Sequence, residues 1–246
     1  MTHTAKLMQQ HGFTLVEIAI VLLIVGLLMG GLLPTLSGQI DQRRNSDTSK
    51  QLDEIKDALI GYAVINGRLP CPASSTSNGA ESPSGGGNCT NFYNGFVPAA
   101  TLGLSGTTDS SGFLIDSWGN RIRYAVTSSN GNAFTTTNGM QSAGISSLAP
   151  NLLVCSTATG ISGTSCATNS YLTATPGVPV VIYSTGKNGA QGSAGIDEAA
   201  NLDGNRTFVS HIPTPSGAAN GYFDDIVIWI SQTVLINRMV AAGKLP

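Results

Sequence analysis

The chain has 246 residues, with 12 Lys and Arg against 14 Asp and Glu, a net charge of -2 and only 11% charged side chains. So weak a charge balance argues against a polyanion binder, and no nucleic-acid partner is expected. A hydrophobic content of 41% supports a real core, and the length leaves room for an N-terminal helix and a single folded domain.

Residues 12–33, GFTLVEIAIVLLIVGLLMGGLL, form an apolar run of membrane length that contains one carboxylate, Glu17. A charged side chain inside a spanning segment costs about 2.5–3.5 kcal/mol, so Glu17 asks for a positive partner. No basic residue along the run is close enough to serve. A secretory signal peptide would share the positive start, here His3, Lys6 and His11. It would also end in a small-residue cleavage site, and Gly30, Gly31 and Ser37 are not so arranged. A plain anchor fits residues 18–40, which hold no charge, yet leaves Glu17 unexplained.

The residues KLMQQHGFTLVEIAIVLLIVGLLMG resemble the N-terminus of type IV prepilins and of type II secretion pseudopilins. The shared order is a short polar leader with Lys6, Gly12 before Phe13, then Thr-Leu-Val and Glu17. The resemblance implies that a prepilin peptidase cuts after Gly12, removing residues 1–12, and methylates the new amine of Phe13. That amine is the partner Glu17 lacks. In a filament, Glu17 of one subunit could neutralise Phe13 of its neighbour, a pairing that sets register more than stability. The resemblance further implies a single pass of the bacterial inner membrane by residues 13–38, with the C-terminal domain in the periplasm. Copies of itself, other pilins or pseudopilins and an inner-membrane assembly platform are then its partners.

Pro34 removes the hydrogen bond to the Gly30 carbonyl and, with Gly30 and Gly31 before it, predicts a bend or loosening of the helix. In residues 39–66, Leu52, Ile55, Leu59, Tyr62 and Ala63 recur at three- and four-residue spacing and mark one buried face of an amphipathic helix. Asn66-Gly67 supplies a left-handed cap and Pro70 forbids continuation, so one long helix is predicted over 13–65.

Cys71, Cys89, Cys155 and Cys166 show neither C-x-x-C spacing nor an accompanying His, which argues against zinc and thioredoxin-like chemistry. In the oxidising periplasm that the resemblance implies, disulfides are expected, Cys71 with Cys89 and Cys155 with Cys166. Four cysteines allow three pairings, and free buried thiols are the alternative. Residues 74–91, almost free of apolar side chains, predict a disulfide-closed surface loop.

Strands are predicted over 121–127, 178–184 and 226–231, with a weaker one over 152–155. Val234, Leu235, Met239 and Val240 at helical spacing predict a short helix over 232–242. The fold class is α+β and pilin-like. A long N-terminal helix, membrane-spanning in its first half, packs on an antiparallel sheet, and residues 67–246 form a β-rich domain with a short C-terminal helix.

Asp116-Ser-Trp-Gly-Asn120 resembles the turn before a strand in major pseudopilins. By residue type it is a turn, capped by Asp116 and Asn120 and anchored by Trp118. Residues 184–189 with 223–226 resemble the segment that holds calcium in those proteins. Calcium takes six to eight oxygens, and Asp197, Asp203, Asp224 and Asp225 are the carboxylate candidates. The pattern departs by an insertion over 198–222, and Asp224 capping loop amides is the alternative reading.

No enzyme is expected. His3, His11 and His211 are the only imidazoles, His211 is expected at the surface without catalytic partners, and no Walker loop or dinucleotide fingerprint occurs. The expected function is a structural subunit of a pilus-like filament or secretion pseudopilus. The alternative is a minor or tip subunit whose loops over 74–91 and 186–221 bind a surface, a sugar or secreted cargo.

Overall fold

A computed structural model describes residues 12–246, and the side chains of all of these except 29–37. The expected leader lies outside the described residues, apart from Gly12. The chain divides into two units, residues 1–43 and 44–246. Helix α1, Leu15–Asn66, contributes to both and carries on through Pro34, where the sequence predicts a bend or loosening.

In the first unit the large apolar side chains between Phe13 and Leu28 are exposed, from 40% at Val25 to 87% at Leu15. Among the described residues, no helix is long and apolar enough to cross a membrane. Residues 29–37 of the expected span over 13–38 lie outside the residues whose side chains are described.

In the second unit, one face of α1 is buried through Leu52, Ile55, Leu59 and Ala63, at the predicted spacing. Each large aliphatic side chain buried this way contributes about 1.5–3 kcal/mol. The helix stops where the sequence predicts. Gly67, at φ 68°, donates its N–H to the Ala63 carbonyl, and Leu69 then bonds to Phe134.

The face of α1 packs on a four-stranded antiparallel sheet of order β1-β2-β4-β6. Its strands are β1 (Gly95–Phe96), β2 (Arg123–Val126), β4 (Val180–Ser184) and β6 (Ile226–Ile230). Strand alternation divides the side chains cleanly. Tyr124, Val126, Val180, Ile182 and Ile230 face α1, while Ala125, Val181, Tyr183 and Val227 face the opposite side. That opposite side is covered too, by a parallel pair made of β3 (Leu153–Cys155) and β5 (Thr207–Val209). The antiparallel sheet under α1 is as expected, and the weaker strand predicted over 152–155 lies outside it, paired in parallel with β5. Burial on both faces explains why β4 reads as the unbroken run Val-Val-Ile-Tyr.

Three short helices, α2 (Ala99–Leu102), α3 (Ser129–Asn132) and α4 (Gly139–Ala143), lie in the connections. Strand β5 and most of helix α5 (Ile196–Leu202) fall in the segment expected as an insertion. Helix α6 (Gln232–Ala241) buries Leu235 and Met239, and Ser231 caps it by accepting the Val234 N–H at 3.3 Å.

The sulfurs of Cys71 and Cys89, and of Cys155 and Cys166, lie at bonding distance, with Cα separations of 5.3 and 5.6 Å. The segment over 74–91 is more than a surface loop. Glu81 turns inward and holds Arg68 through two hydrogen bonds of 2.8 and 2.7 Å, both side chains being buried.

Candidate functional site

At the start of α1, Thr14 and Glu17 form a capping box. Glu17 donates its N–H to Thr14 Oγ1 at 3.3 Å, while the N–H and hydroxyl of Thr14 both donate to Glu17 Oε2 at 3.1 Å. The carboxylate also sits at the positive end of the helix dipole. Glu17 thus has a local partner that the reading of the apolar run missed, although the Thr-x-x-Glu spacing is visible in the sequence. Phe13, immediately before, is 82% exposed.

The second cluster lies in the domain and is built by four segments: the 116–120 turn, the loop after β4, α5 and residues 222–225. The 116–120 turn forms as expected: Asp116 Oδ1 accepts the N–H groups of Trp118 and Asn120, both at 2.9 Å. Its other oxygen accepts the Ser184 hydroxyl at 2.6 Å, and the Asn120 amide donates to the Gly186 carbonyl at 2.6 Å. The turn therefore holds the loop that leaves β4. Gly186, at φ 61°, lets that loop approach Asp224 so closely that a Cβ would run into the carboxylate.

Against this loop, carboxylate oxygens of Glu198, Asp224 and Asp225 lie within 4.8 Å of one another. Glu198, in the first turn of α5, accepts from the Asn188 amide and the Ala194 N–H, both at 2.8 Å, and from the Asp224 N–H at 3.1 Å. Asp224 Oδ2 accepts from the Lys187 N–H at 2.8 Å and the Tyr222 hydroxyl at 3.0 Å, whereas its buried Oδ1 has no hydrogen-bond partner among the described residues. Asp225 accepts from the Asn201 amide at 2.7 Å. Burial, reinforced by the Glu198 and Asp224 charges, pushes the Asp225 carboxyl up to about 8. Asp224 is raised as well, by burial first and by Glu198.

Of the four predicted metal candidates, the structure brings together only Asp224 and Asp225. Asp197 is buried elsewhere, its carboxylate accepting from the Ala158 N–H, the Asn220 amide and His211 Nε2 at 3.1 Å. Asp203 is taken up by Asn205, whose N–H it accepts at 3.0 Å. Glu198, absent from the predicted set, takes their place. His211 is also corrected: it is half-buried, bonded to Asp197 and stacked on Phe223 with ring centroids 3.9 Å apart.

Residues 7–33 match the family model described as the prokaryotic N-terminal methylation motif. The chain carries the type IV prepilin and pseudopilin signature. The signature contains Gly12, Phe13 and Glu17, and implies processing by prepilin peptidase and assembly with other pilins. It marks a structural family, and indicates a membrane-anchored precursor that passes into a filament. No curated protein and no solved structure matches the chain.

Proposed function

We propose that the chain is a structural subunit of a type IV pilus-like filament or a type II secretion pseudopilus. It is cut after Gly12, methylated at Phe13, held in the inner membrane with its domain in the periplasm, and assembled on an inner-membrane platform through its N-terminal helix. The match over residues 7–33 carries this reading. The exposed apolar side chains between Phe13 and Leu28 support it, because so large an apolar surface requires either lipid or copies of itself. Glu17→Ala tests it: the inserted, processed monomer persists while filament yield falls strongly, and a normal yield refutes the assembly role. A minor or tip role is favoured by the covering layer of β3 and β5; labelling confined to filament ends, rather than uniform along them, would support it.

We also propose that Glu198, Asp224 and Asp225 hold calcium. Three hard carboxylate donors, one with a buried oxygen that no described residue satisfies, fit such an ion. The ion, when bound, supplies the positive charge that lets all three ionise together. The residues themselves then tie α5 and the start of β6 to the loop at Gly186, each carboxylate keeping its amide donors.

A further inference from the structure

Between α5 and β5 the chain reads Asp203-Gly204-Asn205-Arg206-Thr207. Asparagine with threonine two residues on is the acceptor pattern for an N-linked glycan. Here an acid, Asp203, also stands two residues before the asparagine. The structure gathers all three side chains about one amide. Asn205 Nδ2 donates to Asp203 Oδ2, while the Thr207 hydroxyl and N–H both donate to Asn205 Oδ1, at 2.6 and 2.7 Å. Asp203 and Gly204 are exposed and Asn205 is half-buried, so the amide lies at a surface turn.

We propose that Asn205 is an acceptor for an N-linked oligosaccharide. The inference rests on the periplasmic placement of the domain, where a lipid-linked donor is presented. In the transfer, Nδ2 of Asn205 attacks C1 of a polyprenyl-pyrophosphate-linked oligosaccharide. The N–C1 bond forms, the C1–O bond breaks, the polyprenyl pyrophosphate leaves with the electron pair, and the proton that Nδ2 gives up passes to the departing pyrophosphate. Nothing is oxidised or reduced. The remaining N–H is enough to keep the bond to Asp203. Thr207 is fully buried and paired with Leu153, so the transfer precedes the docking of β5 on β3.

A second Asn-x-Thr, Asn88-Cys89-Thr90, serves as an internal control. Asn88 is exposed, but Gly86 stands where the acid would be. The test uses the purified full-length chain, either folded or freshly diluted from denaturant. It is incubated with a purified bacterial oligosaccharyltransferase and a lipid-linked oligosaccharide, and the glycopeptides are read by mass spectrometry. One glycan on Asn205 is expected, formed faster on the diluted chain and absent from Asn205→Gln. Asp203→Ala is expected to lower transfer about tenfold, the size of one lost charge-assisted hydrogen bond. No transfer to Asn205 while a control acceptor peptide in the same tube is modified would overturn the proposal, as would transfer to Asn88 with Asn205 bare. Neither result depends on cleavage at Gly12, so the filament reading stands or falls separately.

Discussion

Replacing Asp225 by asparagine separates the ion-free and ion-bound states of the carboxylate cluster by the sign of its effect. The folded Asp225 carboxyl is raised to about 8 from an ordinary value of 3.8. Between those values the folded chain keeps a proton that the unfolded chain releases, so this group's contribution to stability falls as pH rises from about 4 to about 8. At pH 7 the gap is about 3 units, a cost of roughly 4 kcal/mol as an upper bound. Asp225→Asn removes the ionisable group at nearly constant shape and keeps an oxygen for the Asn201 amide. Recovering about half the cost raises Tm by roughly 4–8 °C for a unit of this size. The assay is thermal melting of the full-length protein in detergent, at pH 4 and pH 7, with chelator or with excess calcium. In chelator the variant melts higher than wild type at pH 7 and level with it at pH 4. In calcium the order reverses, because only wild type gains the ion. A variant that melts lower in chelator at both pH values refutes the burial cost, and an unreversed order in calcium refutes the ion.

Glu81→Gln leaves the buried Arg68 guanidinium without its counter-charge and is expected to cost about 3–5 kcal/mol, read as a lower denaturation midpoint. Burial alone would raise the Glu81 carboxyl, but Arg68 and the amides of Cys71 and Gly85 outweigh it and hold it below the ordinary range. Its contribution is therefore present at neutral pH and lost as pH falls through that lowered value, so wild type and variant converge in acid. Ser231→Ala removes the side-chain cap of α6 and is expected to cost about 1 kcal/mol, with a matching fall in Tm.

The long helix and strands β2, β4 and β6 were legible because their patterns are local, whereas the two-residue β1 and the three-residue β5 were not predicted. Leu52, Ile55 and Leu59 show the helical period within eight residues, and β4 and β6 are short apolar runs between turn residues. The Thr14–Glu17 cap is equally local, since the Thr-x-x-Glu spacing stands in the sequence. What escaped was the assembly of the acidic residues. Asp197 and Glu198 are neighbours on α5, and consecutive helical positions point about 100° apart, so only one of them can face Asp224 and Asp225. Which one does so depends on how α5 docks, and that is decided by contacts far away in sequence. The Asn201 amide bonds to Asp225, and Asn220 and His211 take up Asp197. A segment expected as an insertion thus supplies a layer, because β5 finds its partner in β3, more than fifty residues earlier.

The N-terminus of the mature protein tests the account most directly. Mass spectrometry of the protein purified from membranes of a cell with prepilin peptidase should find a chain beginning at Phe13, its amine carrying one methyl group. A mature chain beginning at Met1, or at any residue other than Phe13, would contradict it.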